Sequence, residues 1–365
     1  MSPRKKKEEA TDLNSPVSQI QDYLEKNKGD HYNFEEEREY TVSSGSLKLD
    51  IEMGGGIKPG IIRASGVTEG GKTSCALAFA RNFQKMEKSM VVYIKAEGRL
   101  SQDMIDRSGV NQDISKWKII KSNTYETVVD LMRFLVKNNE HNYKYMFIID
   151  SMDALVPKGD VEKKADEAVK VAGGSLLSSY FLKSMALAFV SGGHICFMIS
   201  QVRSTLKLNP YEKGDAKVTN ASGGNAILHY SDWILEFQER YKKDIIFDKD
   251  GKTPMGHWCK IVFRKTSNEK TGVQVDYPIK YKQTGGKSVW TEYGVVDMLL
   301  MWNMASAKGA WVTIADEIIE EVKEKTGEEF KKQHQGPDNL KKYLQENTNI
   351  LQYLYNKFLE ALKRS

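Results

Sequence analysis

The residues Gly66-Val67-Thr68-Glu69-Gly70-Gly71-Lys72-Thr73 fit the pattern G-x-x-x-x-G-K-[ST], and their flanks restrict the fold further. Ile61-Ile62-Arg63-Ala64-Ser65 reads as a short strand entering the loop. Ser74 to Phe83 reads as the helix leaving it, with apolar residues at helical spacing. Strand, glycine loop and helix together aim a helix N-terminus, with its unpaired N–H groups, at an anion. The glycines let the backbone turn those groups inward around phosphate oxygens. Lys72 would reach the outer phosphates as a point charge, and the Thr73 hydroxyl would help hold Mg²⁺. The bland alternative is a coincidental glycine turn.

From about residue 39 to 290 strand and helix patterns alternate. Met90–Ile94, Tyr145–Ile149, His194–Ile199 and Asp232–Phe237 read as buried strands, with helical stretches at Tyr125–Asn138 and Ser175–Phe189 between them. This alternation predicts an α/β fold with a mostly parallel central sheet covered by helices. Two later strands, Trp258–Arg264 and Val273–Lys282, lie close together and suggest a hairpin edge. From about residue 295 the chain turns helix-rich and rich in lysine and glutamate. It ends in an amphipathic helix carrying Leu351, Leu354, Tyr355, Phe358 and Leu362, the mark of a second, smaller domain. Residues 1–14 are polar and charged, an expected disordered tail. Val17, Ile20, Tyr23 and Leu24 follow at helical spacing, in a helix too short to stand alone in water, so docking is expected.

Composition excludes several classes. The net charge of +5 on 365 residues is too small for bulk charge to mark a nucleic-acid protein. Any such affinity must come from local arrangement. Cys75, Cys196 and Cys259 lie far apart in apolar runs, with no metal spacing, as buried thiols of a reducing compartment would. No stretch approaches the ~18 apolar residues of a membrane span, and the lysine-rich start lacks a signal-peptide core. A cytoplasmic protein without membrane partners is expected.

Three strand ends carry further chemistry. Ile148-Ile149-Asp150-Ser151 is an apolar strand ending in an acid that can orient Mg²⁺. Ile94-Lys95-Ala96-Glu97 closes another strand, where Glu97 is either a general base facing a γ-phosphate or a solvated glutamate. Gln201, after the strand ending at Ser200, could sense the γ-phosphate through its amide and signal into the next loop. That loop, Val202–Ala221, is long and carries Arg203, Lys207, Lys213 and Lys217 before Ser222-Gly223-Gly224-Asn225. Cations followed by glycine amides at a helix start suit a DNA phosphodiester, while a merely solvated loop stays open. Arg264, Lys265 and Lys270 form either a solvated turn or a phosphate contact.

In this order the motifs resemble the RecA-family recombinases, most closely their phage versions of the UvsX type. Val42–Asp50 and Gly54–Gly60 look like the segment preceding the family's phosphate loop. Ala96-Glu97, Ile149-Asp150-Ser151 with Ala154–Lys158, Ser200–Arg203 and Gly223–Ala226 follow in the family's sequence, and Gly309-Ala310-Trp311 resembles the start of its C-terminal domain. The similarity spans about residues 15–365.

The resemblance implies a RecA-like ATPase core over 41–290, preceded by an oligomerisation helix and linker strand over 15–40. It implies a C-terminal helical domain over 295–365. Gly66, Glu69, Gly70, Gly71, Lys72, Thr73 and Ser74 would bind ATP, Thr73 and Asp150 would hold Mg²⁺, and Glu97 would activate water. Arg264 and Lys265 would reach the nucleotide of an adjacent protomer. Arg203, Leu206, Gly223, Gly224 and Asn225 would contact DNA in the second loop, with Val171 as the apolar counterpart in the first, near Val161–Gly173. The implied activity is DNA-dependent ATP hydrolysis by a filament on single-stranded DNA, which pairs with homologous duplex and exchanges strands. A single-strand-binding protein and a loading mediator are implied partners. Lys95, Gly98 and Met104 depart from the bacterial pattern, Met104 standing where an aromatic residue commonly covers adenine. A ring helicase or motor, or a mediator that does not exchange strands, are the competing expectations.

Overall fold

Six apolar segments form the parallel part of one sheet: β1 (Gly60–Gly66), β2 (Ser89–Lys95), β3 (Trp117–Ile120), β4 (Lys144–Asp150), β5 (Ile195–Ile199) and β6 (Trp233–Phe237). The computed structural model describes residues 16–26, 39–98, 100–161, 173–201, 229–248 and 250–364. Three antiparallel strands, β7 (Ile245–Phe247), β8 (Pro254–Lys265) and β9 (Gln274–Lys280), extend the sheet beyond β6 to nine strands. The order is β3-β2-β4-β5-β1-β6-β8-β7, with β9 paired to β8. The expected hairpin is therefore β8–β9, and the α/β architecture read from alternation is the one observed.

Helices cover both faces, which is why the inner strands are apolar on both sides. Ile62, Ala64, Tyr93, Ile148 and Phe197 pack with Phe79 and Phe83 of α3 (Lys72–Phe83) and Ile105 of α4 (Gln102–Ser108). Their alternate neighbours Ile61, Val92, Phe147 and Met198 pack with Val128 and Met132 of α5 (Tyr125–Lys137) and Phe181 and Met185 of α7 (Gly173–Gly192). Each fully buried side chain of this size contributes about 1.5–3 kcal/mol. Before the sheet stand α1 (Pro16–Lys26) and α2 (Leu47–Glu52), and α6 (Lys158–Val161) precedes α7.

The last part of the chain is helix-rich, as expected, and also holds a small sheet. Helices α8 (Thr291–Met301), α9 (Asp316–Thr326), α10 (Gly336–Glu346) and α11 (Thr348–Arg364) surround a three-stranded antiparallel sheet of β10 (Ala305–Lys308), β11 (Trp311–Ile314) and β12 (Gln333–Gln335). These strands have three or four residues, too short for a period-two signal to stand out. Leu354, Phe358 and Leu362 of α11 are buried in one core with Val295 and Leu299 of α8 and Val322 of α9, as the amphipathic spacing of the final helix requires. Among the described residues no helix is long and apolar enough to cross a membrane.

Candidate active site

The carboxyl ends of β1, β2, β4 and β5 lie side by side, which is where ligands bind in open α/β sheets. β1 ends at Gly66 with φ +133°, and a Cβ there would meet the Phe237 carbonyl oxygen at 2.2 Å. Only glycine lets the chain leave β1 so close to β6. Gly71 then caps α3 in the left-handed region, with φ 105° and no side-chain cap. The helix therefore begins at Lys72, two residues earlier than its apolar spacing suggests, and its first-turn N–H groups lack intrahelical partners. Glu69 also takes a positive φ of 62°, in the turn of the loop.

Lys72 is buried, and its Nζ donates to the carbonyls of Gly66 at 3.0 Å and Val67 at 2.6 Å. Burial pulls its pKa down, while the charges of Asp150, Glu97 and Asp153 oppose that shift. The next side chain, Thr73, donates its hydroxyl to Asp150 Oδ2 at 2.9 Å. Tyr93 of β2 donates to the same oxygen, and burial followed by Asp150 pushes its own pKa well up, so it stays a neutral donor.

Glu97 is fixed by its backbone and its carboxylate. Its N–H donates to the Asp150 carbonyl at 3.2 Å, just past the β2–β4 pairing of Lys95 with Asp150. Its Oε1 accepts from the Ser151 hydroxyl and from Gln201 Nε2, the latter at 3.3 Å. Gln201 in turn donates its backbone N–H to Asp153 Oδ2 at 2.6 Å. Lys72, Thr73, Asp150, Glu97 and Gln201, read separately from the sequence, thus lie in one bonded neighbourhood.

This donor set fits a Mg²⁺–nucleotide. Glycine turns and a helix start without a side-chain cap suit phosphate oxygens, Lys72 supplies the cation, and Thr73 with Asp150 offers two hard oxygen ligands. Ser74 occupies the first turn of α3 beside Thr73. Near the helix after Glu97, Ser101 Oγ caps α4 by accepting the Met104 N–H at 3.2 Å, and Met104 packs partly buried against the core.

Arg264 and Lys265 are not part of this cluster. They lie on β8, two strands from β1. Arg264 Nε and Nη2 grip Glu236 at 2.6 and 3.1 Å, and Lys265 Nζ donates to the His229 carbonyl at 2.8 Å. Burial raises the Glu236 pKa, but its bonds from Arg264 and Gln238 and the charges of Arg264 and Arg63 outweigh that and leave it lowered. The expected DNA contacts Val171, Arg203, Leu206, Gly223, Gly224 and Asn225 lie outside the described residues.

Sequence reasoning passed over Tyr93, Ser151 and Asp153 as site residues. A tyrosine inside an otherwise apolar strand was the available signal for Tyr93, since a buried hydroxyl needs a partner. Ser151 and Asp153 flank the strand-end acid and bear no pattern of their own.

A family model described as the RecA N-terminal domain matches residues 13–285. The protein RecA of Listeria welshimeri serovar 6b is 28% identical over 312 residues, which cover 85% of this chain and 80% of the relative. RecA of Rhodococcus opacus strain B4 is 25% identical over 323 residues, covering 88% and 83%. RecA of Bordetella pertussis strain Tohama I is 26% identical over 357 residues, covering 97% and 91%.

Proposed function

The chain belongs to the RecA family, and from that premise we propose that it is a DNA-dependent ATPase that forms filaments on single-stranded DNA and exchanges strands with homologous duplex. The observation that carries this reading is the convergence of Lys72, the Thr73–Asp150 pair and the Glu97–Gln201 pair at neighbouring strand ends. Magnesium-bound ATP supplies the γ-phosphoryl group to be cleaved, with the ion neutralising charge on the phosphate oxygens. The turn from Gly66 to Thr73 binds, and the Lys72 cation draws in the outer phosphates. Glu97 accepts a proton from water, while Ser151 and Gln201 hold its carboxylate in place. Gln201 stands at the root of the segment that begins at Val202, so a shift in its amide passes directly to Arg203 and Leu206. Val171, Gly223, Gly224 and Asn225 complete the proposed DNA contacts.

Self-association has a matching surface. A groove of about 350 Å³, lined among others by Met90, Val92, Ile120, Leu131, Leu135 and Tyr145, runs beside edge strand β3. Ile20 and Tyr23 of α1 are 59% and 61% exposed and lie on one side of the helix. We assign the groove to α1 of a neighbouring copy. Placement in the cytoplasm, among the phage recombinases of the UvsX type, and service by a single-strand-binding protein and a loading mediator belong to the same proposal and rest on the sequence resemblance.

The test is strand exchange with homologous and heterologous duplex in the presence of ATP and Mg²⁺. Exchange restricted to the homologous duplex is expected. ATP hydrolysis without exchange, with rings in place of filaments by electron microscopy, would favour a motor.

A further inference from the structure

Arg63 stands at the middle of β1, 1% exposed, in a position that the flanking Ile61, Ile62 and Ala64 would suit an aliphatic residue. A buried guanidinium is costly unless its donors are met. Here Nε donates to Ser200 Oγ at 2.9 Å, while Nη2 has no hydrogen-bond partner. Such an incompletely satisfied charge in a sheet interior calls for a functional explanation.

Its neighbours supply one. Ser200 is the residue immediately before Gln201, and its N–H is tied back to β1 through the Ala64 carbonyl at 2.9 Å. On the other side, β6 runs parallel to β1 with Arg63 opposite Ile234 and Ser65 opposite Glu236, so Arg63 and Glu236 share a face of the sheet. Glu236 is the carboxylate that grips Arg264 through two hydrogen bonds. We propose that Arg63 is a positioning residue that couples the Glu97–Gln201 pair of one protomer to Arg264 on the same protomer, by way of Ser200 and Glu236. This rests on the reading of Gln201 as nucleotide sensor and Arg264 as the cation offered to an adjacent nucleotide.

The electrostatics agree with the geometry. Burial lowers the Arg63 pKa, and the two carboxylates that counter it are Asp153 and Glu236. Asp153 holds the Gln201 N–H and Glu236 holds Arg264, so the Arg63 cation is shared between the two ends. A movement of Gln201 shifts Ser200 and Asp153 relative to Arg63. The pull of Arg63 on Glu236 then changes, and with it the hold on Arg264. Successive nucleotide sites along a filament would thereby report to one another through the sheet.

The experiment compares wild type, Arg63→Met, Arg63→Lys, Arg264→Lys and the double variant Arg63→Lys/Arg264→Lys. Readouts are DNA-stimulated ATPase kcat, its Hill coefficient in ATP, and affinity for a fluorescent ATP analogue. Arg63→Met is expected to lower kcat roughly tenfold and bring the Hill coefficient towards one, with analogue affinity within about twofold of wild type; Arg63→Lys should restore part of both. The double variant's kcat should depart by more than about threefold from the product of the single fold-changes. If Arg63→Met does not fold, the lysine pair carries the test alone. Multiplicative effects, or a loss confined to analogue affinity, would overturn the coupling while leaving the functional reading intact. Wild-type ATPase unmoved by single-stranded DNA would instead overturn the functional reading, and the coupling with it.

Discussion

Gln201 Nε2 donates to Glu97 Oε1 at 3.3 Å, joining two strand ends 104 residues apart in sequence. The same oxygen accepts from Ser151, so the carboxylate is oriented by two donors before any substrate arrives. Orientation of this kind is what a general base needs. Glu97→Gln should lower kcat for ATP hydrolysis by about 10²–10⁴-fold while leaving nucleotide affinity within about twofold. Phosphate release and equilibrium binding of a fluorescent ATP analogue measure the two quantities. Retained hydrolysis would return Glu97 to a strand-end glutamate with a structural hydrogen bond.

Lys72 is the buried cation of the site, and its Nζ donates to the carbonyls of Gly66 and Val67. Truncation removes the charge but leaves the loop's glycine turns in place. Lys72→Ala should abolish DNA-stimulated ATP hydrolysis and weaken nucleotide binding at least tenfold, about 1.4 kcal/mol or more. Its melting temperature without nucleotide should stay near wild type, because removing the buried ammonium relieves its desolvation and so offsets the loss of its bonds to the Gly66 and Val67 carbonyls. Full activity in this variant would dismiss the phosphate-loop assignment.

Gly66 joins sequence pattern to fold most directly. Its φ of +133° is hostile to a side chain, and a Cβ would sit 2.2 Å from the Phe237 carbonyl oxygen on β6. Gly66→Ala must therefore push β1 away from β6 or unwind the start of the loop. A loss of at least about 2 kcal/mol is expected, since strain of this class costs about 1–3 kcal/mol before the steric term is added. Thermal unfolding monitored by circular dichroism reads it, and an unchanged melting temperature would mean that the loop does not approach β6 so closely.

The strands that carry the site were legible because each is buried on both faces and so reads as a continuous apolar run, as Met90–Ile94 and Tyr145–Ile149 do. The acid at Asp150 was legible for the same reason, as a polar residue closing such a run. Trp117–Ile120 was not, since an edge strand of four residues with Lys118 exposed carries neither an apolar run nor enough length for alternation. The short strands β10–β12 escaped on the same ground. Tertiary pairing made the rest of the site: nothing in the sequence says that Tyr93 and Thr73 would meet at one Asp150 oxygen. Arg63 was visible as a charge inside an apolar strand, but its partners come from β5 and β6, far along the chain.

His257 on β8 gives the fold a pH dependence. Burial, then the nearby Arg240 charge, holds its pKa at about 4, below the ordinary 6.5. The folded ring therefore refuses a proton that the unfolded chain accepts. The stabilisation is complete above pH 6.5 and is lost as pH falls towards 4. His257 Nδ1 has no hydrogen-bond partner, and the ring lies 5.4 Å from that of Tyr281, so phenylalanine can take its place without orphaning a polar group. His257→Phe should show a smaller fall in melting temperature between pH 7 and pH 5 than wild type. Equal falls in the two proteins would contradict this account of His257.

The exposed stripe on α1 bears on assembly. Ile20 and Tyr23 lie three positions apart on one side of the helix, and both are more than half exposed. A helix of 11 residues gains little stability by itself, so a stripe of this kind is expected to be covered when the protein assembles. Ile20→Asp places a charge where the proposed partner offers Met90, Ile120 and Leu135. A buried unpaired carboxylate is strongly unfavourable, so self-association should weaken at least tenfold. Thermal unfolding at low concentration should stay within about 0.5 kcal/mol of wild type, as for other exposed substitutions. Sedimentation velocity with and without single-stranded DNA reads the first quantity and calorimetry the second. Unaltered sedimentation in the Ile20→Asp variant would remove α1 from the interface and leave the groove beside β3 to another occupant.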